Sequence, residues 1–108
     1  MSYGVIELWK PKPSWHSLSS EEKQNYINQL PKMLEQLTNA GVKLHGIYWC
    51  RYGSDYQFFA SWEMPNQEMV ESLSRGLEEA QWYRYFDQVA YVGKSVTFEE
   101  FLNFPTHK

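Results

Sequence analysis

The 108 residues are enough for one hydrophobic core and too few for two. With 43% hydrophobic and 21% charged residues the chain is neither disordered nor fibrous, and its 18% aromatic content is the outlying figure. A formal net charge of -3, without clustered Lys or Arg, excludes the basic footprint that phosphate backbones require, so nucleic acid is not an expected partner.

Tyr3 to Lys10 carries strand-forming residues on both parities, which predicts a central strand covered on both faces. Lys-Pro-Lys-Pro at 10–13 ends it, because proline lacks an amide donor and restricts the preceding residue. A loop through Trp15 and His16 follows. Ser19 and Glu22 have capping-box spacing, and Tyr26, Ile27, Leu30, Met33, Leu34 and Leu37 recur at helical intervals up to Gly41. Pro31 lies inside that stretch and predicts a kink.

Val42–Tyr52 and Asp55–Met64 read as two strands joined by Gly53 and Ser54, the spacing of a type II′ hairpin. Asn66 caps a second helix with a stripe of Met69, Val70, Leu73, Leu77 and Ala80. The aromatic segment Trp82–Phe86 leads into a last strand over Asp87–Ser95. Thr97 and Glu100 then cap a short tail helix containing Phe101, Leu102 and Phe104. The order β-α-β-β-α-β predicts an α+β, ferredoxin-like antiparallel sheet with two helices on one face. Residues 1–95 form that domain; 96–108 form a tail expected to pack on a partner.

Alternation along the strands sorts the side chains into two faces. One assignment places Ile6, Leu8, Leu44, Tyr48, Cys50, Phe58, Ala60 and Trp62 beneath the helices. Val5, Glu7, Trp9, His45, Ile47, Trp49, Gln57, Phe59, Ser61 and Glu63 then occupy the other face. So apolar a second face predicts a sheet-on-sheet homodimer. Cys50 is the single cysteine, which excludes an intrachain disulfide. The N-terminal stretch has no signal-peptide pattern, and no apolar run approaches the ~20 residues of a membrane span. A soluble, cytoplasmic protein is expected.

The runs Glu-Leu-Trp-Lys-Pro at 7–11, Trp-Glu-Met-Pro-Asn at 62–66 and Trp-Tyr-Arg-Tyr-Phe-Asp-Gln-Val at 82–89, with Trp15, resemble an uncharacterised bacterial family of the dimeric α/β-barrel superfamily. That superfamily includes cofactor-independent monooxygenases, haem-degrading monooxygenases, haem-dependent chlorite dismutases, lactone isomerases and polyketide cyclases. The resemblance implies the fold and the dimer. It matches none of the superfamily's catalytic signatures, so it transfers no site residue.

The candidate chemistry follows from residue types. Histidine is the side-chain type suited to proton exchange near neutral pH, which singles out His45. Facing Glu7 or Glu63, it is a candidate general base for an enolisable or phenolic substrate; otherwise it is a hydrogen-bonded strand histidine. Glu7 and Glu63, on adjacent strands, are either a carboxylate pair sharing that site or separate partners of Lys10, Lys43 or Arg51. Trp9, Trp49, Phe59 and Tyr91 suit either a planar organic ligand or a dimer core. Arg84 is a candidate for a ligand carboxylate, or part of a solvated turn. Haem would need His16, His45 or His107 as axial ligand, and no haem motif surrounds them. No metal-ligand cluster is spaced for a site. The expected protein is a homodimer with an aromatic pocket for a small planar organic molecule, for which the resemblance implies cofactor-independent oxygenation, isomerisation or cyclisation with His45 as proton acceptor; the alternative is a non-catalytic binding or interaction module.

Overall fold

The computed structural model describes residues 2–105, so His107 lies outside the described residues. Four strands, β1 (Tyr3–Pro11), β2 (Lys43–Trp49), β3 (Phe58–Met64) and β4 (Phe86–Lys94), form one sheet in the order β2-β3-β1-β4. Every neighbouring pair is antiparallel. That is the ferredoxin-like arrangement expected from the element order.

The first crossover is three helical pieces. α1 (Pro13–His16) is a single turn with proline at its start, where no amide donor is needed. α2 (Ser20–Ile27) begins at a complete capping box, in which Glu22 N–H donates to Ser19 Oγ and Ser19 N–H to Glu22 Oε1. α3 (Leu30–Asn39) is a separate helix, and the expected kink is a break. The reason is Pro31, which cannot donate to the carbonyl four residues back and whose ring crowds it. That carbonyl belongs to Ile27, the last residue of α2. α3 ends in a Schellman motif: Val42 N–H bonds the Leu37 carbonyl, Gly41 N–H bonds that of Thr38, and Gly41 takes φ +98°.

The β2–β3 connection is longer than a two-residue turn. Strand pairing stops at Trp49 opposite Phe58, and residues 50–57 make the link. Cys50 N–H still bonds the Gln57 carbonyl, but Gln57 N–H turns to the Trp9 carbonyl of β1, so the chain beyond it leaves the ladder. Cys50 is consequently only half-buried at the strand end, not covered by helices.

α4 (Gln67–Glu79) is capped by Asn66 and buries Leu73 and Leu77. α5 (Trp82–Tyr85) is one turn leading into β4, and α6 (Phe98–Leu102) is the tail helix, again with a complete capping box. The core lies between one sheet face and the helices. Nine of the nineteen rings are buried in it or packed against it. Trp15 contacts Tyr26, Tyr85 and Phe86; Phe86 stacks on Trp82, which meets Trp9 edge-on, and Trp9 stacks on Phe58. Each such pair contributes about 0.5–1.5 kcal/mol beyond area burial. The aromatic excess is first a property of this core, and only in smaller part of the opposite face.

Candidate functional site

The expected division of faces holds for β3 and is reversed for β1. Ala60 and Trp62 lie beneath the helices as expected, whereas Val5, Glu7 and Trp9 are buried there too and Ile6 is exposed on the open face. A carboxylate beneath helices needs partners, and Glu7 has them. Trp62 Nε1–H donates to its Oε1 at 2.8 Å and Gln88 Nε2–H to its Oε2 at 3.1 Å. Trp82 Nε1–H in turn donates to Gln88 Oε1 at 2.8 Å, which fixes the amide so that its nitrogen faces Glu7. Glu7 remains only 6% exposed. Burial pushes its carboxyl above the usual range, against the two hydrogen bonds that favour the ionised form.

Beside this carboxylate is a cavity of about 80 Å³ lined by apolar residues from six elements, β1, β2, β3, α3, α4 and α5. Trp9, Ala60, Trp62, Leu77 and Trp82 form its interior around Glu7. Leu30 and Leu34 of α3 face Leu44 and Ile47 of β2 at its outer side, where β2 is the exposed edge of the sheet. Apart from Glu7 the lining is entirely uncharged. Sequence reasoning missed Trp62 and Gln88 as the groups that hold Glu7. A Trp at 62 was expected under the helices, but nothing marked its N–H as seeking an acceptor on β1.

His45 and Glu63 do meet, on the opposite face. β2 has a bulge between Leu44 and Gly46, and His45 is the extra residue. Bulges re-aim side chains. His45 Nε2 lies 3.3 Å from Glu63 Oε1, both half-exposed. The bulge also exchanges the next two residues: Ile47, opposite Ala60, turns to the cavity, and Tyr48, opposite Phe59, turns to the open face and stacks on it. A shallow groove of about 550 Å³ runs past His45, Glu63, Ser61, Ile6 and Tyr91 on that face.

The expected single pocket is thus two places. Glu7 and Trp9 are under the helices; His45, Glu63, Phe59 and Tyr91 are on the open face; Glu7 and Glu63 do not share a site. Trp49 and Arg84 belong to neither. Trp49 is 67% exposed at the sheet edge with Arg51 over its ring. Arg84 stacks on Tyr85 and donates to Gln81.

The cavity under the helices does not fit a haem. Neither described histidine lines the cavity under the helices, His16 is exposed, and about 80 Å³ is the room of two or three waters, not of a macrocycle. Among the described residues no group of three His, Cys, Asp or Glu side chains is placed to hold a metal ion. No described helix is long and apolar enough to cross a membrane.

No curated protein matches the chain. Solved structures do. A Trp-to-Val mutant of chlorite dismutase from Candidatus Nitrospira defluvii superposes with a TM-score of 0.77 at 15% identity, over 96% of this chain and 44% of that one. An Arg-to-Lys mutant of the same enzyme gives 0.75 at 19% identity, over 93% and 42%. Its complex with imidazole gives 0.70 at 16%, over 96% and 44%. The chain spans less than half the length of these neighbours. At such identities the likeness establishes the fold, a four-stranded ferredoxin-like α+β sheet of chlorite dismutase-like type. The chain belongs to the family of unknown function DUF6616, whose model matches residues 2–107.

Proposed function

We propose that this protein binds a small organic molecule in the cleft between β2 and α3, with Glu7 as the proton-exchanging group at its floor, and that it works as a homodimer. The observation that carries this reading is a carboxylate held 6% exposed beside an otherwise uncharged cavity. A buried charge is costly, and a core without a task for it is more stable with an apolar residue there. A carboxyl raised by burial is suited to take a proton from, and return it to, a bound ligand. Isomerisation and cyclisation need that step alone, and a cofactor-independent oxygenation begins with it. No haem takes part in this proposal.

A ligand screen by thermal shift tests it. A true ligand at about 100 times its Kd stabilises the fold by about 2.7 kcal/mol. Ala60→Leu fills the cavity and should abolish that stabilisation while leaving the far-UV spectrum unchanged. Stabilisation that survives Ala60→Leu would place the ligand elsewhere. A ligand that binds through Glu7 but is returned unaltered supports the non-catalytic form of this reading.

His45 and Glu63 support a second reading. Their 3.3 Å pair borders the open-face groove, which a second sheet would enclose, and His45 would there be the base with Glu63 orienting it. Phe59 and Tyr91 would then be ligand contacts. Given a turnover assay, unchanged kcat/KM in His45→Ala removes this reading, and unchanged kcat/KM in Glu7→Gln removes the first.

A further inference from the structure

Resting on the reading of the Glu7 cleft as a ligand site, we infer that its ligand is a small organic cation, a protonated or methylated amine held between indole walls and the Glu7 carboxylate. Three observations converge. Trp9, Trp62 and Trp82 all line the cavity around Glu7. Indole is the strongest of the side-chain rings in attracting a cation, and does so most effectively where water is excluded. Among the described residues, no cationic side chain lies within ion-pair distance of Glu7; its partners are the neutral indole of Trp62 and the neutral amide of Gln88. Where Glu7 is ionised the fold therefore buries a negative charge without a counter-charge among the described residues, and a cationic ligand supplies it. An anionic ligand meets the opposite condition, a like charge in a low-dielectric site with no donor but neutral N–H groups. The outer residues, Leu30, Leu34, Leu44 and Ile47, admit the alkyl part of such a molecule without offering it a competing charge.

Small branched ligands of three charges test the inference: trimethylammonium, neutral tert-butanol, which is the nearer match in size, and anionic pivalate, titrated at constant ionic strength. The readouts are the indole N–H resonances of Trp62 and Trp82. Trimethylammonium should shift both, with an affinity at least tenfold above tert-butanol and no saturable shift from pivalate. Its affinity should fall at least tenfold in Glu7→Gln. In the wild type, which avoids any folding defect of the variant, affinity should also fall as pH drops and Glu7 takes up a proton. Tyr83 on α5 also senses the Glu7 charge, but its hydroxyl is pushed up and stays neutral over that range. Tert-butanol or pivalate binding as tightly as the cation would overturn the charge selection and leave the cleft as a ligand site. No saturable shift from any of the three would overturn both the inference and the site.

Discussion

Glu7 concentrates the energetics of the molecule in one side chain, and its ionisation has a definite sign. Its folded pKa is raised by burial above the ordinary 4.5. The stability it contributes is then fully present below its unfolded pKa and is lost as pH rises through the folded value. Glu7→Gln removes that dependence. Chemical denaturation should show the wild type losing stability relative to Glu7→Gln as pH rises from the ordinary 4.5 through the raised folded pKa, with the gap level below and above that interval. A gap independent of pH would mean that Glu7 is not perturbed. Trp62→Phe removes the N–H donor to Oε1, a charge-assisted bond whose loss costs about 1.5–3 kcal/mol where Glu7 is ionised. The same substitution should cost less at pH 4, where the carboxyl is protonated, and it should raise the Glu7 pKa further. The burial of Glu7 was not legible in the sequence for a plain reason. A carboxylate between Ile6 and Leu8 reads as outward-facing, and the two residues that make its burial tolerable stand 55 and 81 positions away.

The elements were more legible than their faces. Capping boxes at Ser19 and Thr97, the Asn66 cap and the order of strands and helices all depend on neighbours within a few residues, and the structure has each of them. Face assignment in β2 failed beyond His45 because a bulge shifts every later side chain to the opposite side, and nothing local announces it. In β1 both parities are apolar, so alternation had nothing to select. The two capping boxes now give a contrast. α2 buries Tyr26, whose hydroxyl donates to the Ala80 carbonyl at 2.8 Å, so Ser19→Ala should lower global stability by about 1 kcal/mol. α6 buries no residue, with Phe98 87% exposed, so Thr97→Ala should speed amide exchange over residues 98–102 and leave the denaturation midpoint of the monomer unchanged. A second contrast tests the cleft at the α3–α4 crossing. A Cβ on Gly76 would sit 2.6 Å from Met33 Sδ, and Met33 also lines the cavity. Gly76→Ala gains up to about 1 kcal/mol of helix propensity but must displace Met33. It should therefore weaken ligand binding in the cleft more than it changes stability.

At the scale of the whole molecule the open sheet face is what a single chain leaves unfinished. Ile6, Leu8, Tyr48, Phe59, Val89 and Tyr91 share it by register, and Ile6, Tyr48 and Tyr91 are well exposed, Tyr91 at 67%. A second copy is the occupant we propose. The face is as wide as the sheet, it is continuous across all four strands, and β4 at its border runs straight into the tail whose Val96, Phe98, Phe101 and Leu102 are also uncovered. A flat sheet offers its whole area only to another flat surface, and an identical sheet related by a two-fold axis presents the same apolar residues in return. Stable association needs roughly 1,200–2,000 Å² of total buried surface, which one face of a four-stranded sheet together with α6 is suited to provide. Ile6 is on the central strand β1 and the cavity beneath the helices is on its other side, so a charge there tests the dimer without touching Glu7. Light scattering at micromolar concentration should give twice the chain mass for the wild type and the single-chain mass for Ile6→Asp, with far-UV spectra that superimpose. A wild type that runs as a monomer would end the sheet-on-sheet proposal and with it the enclosed His45–Glu63 groove. The Glu7 cleft, built wholly within one chain, would stand unaffected.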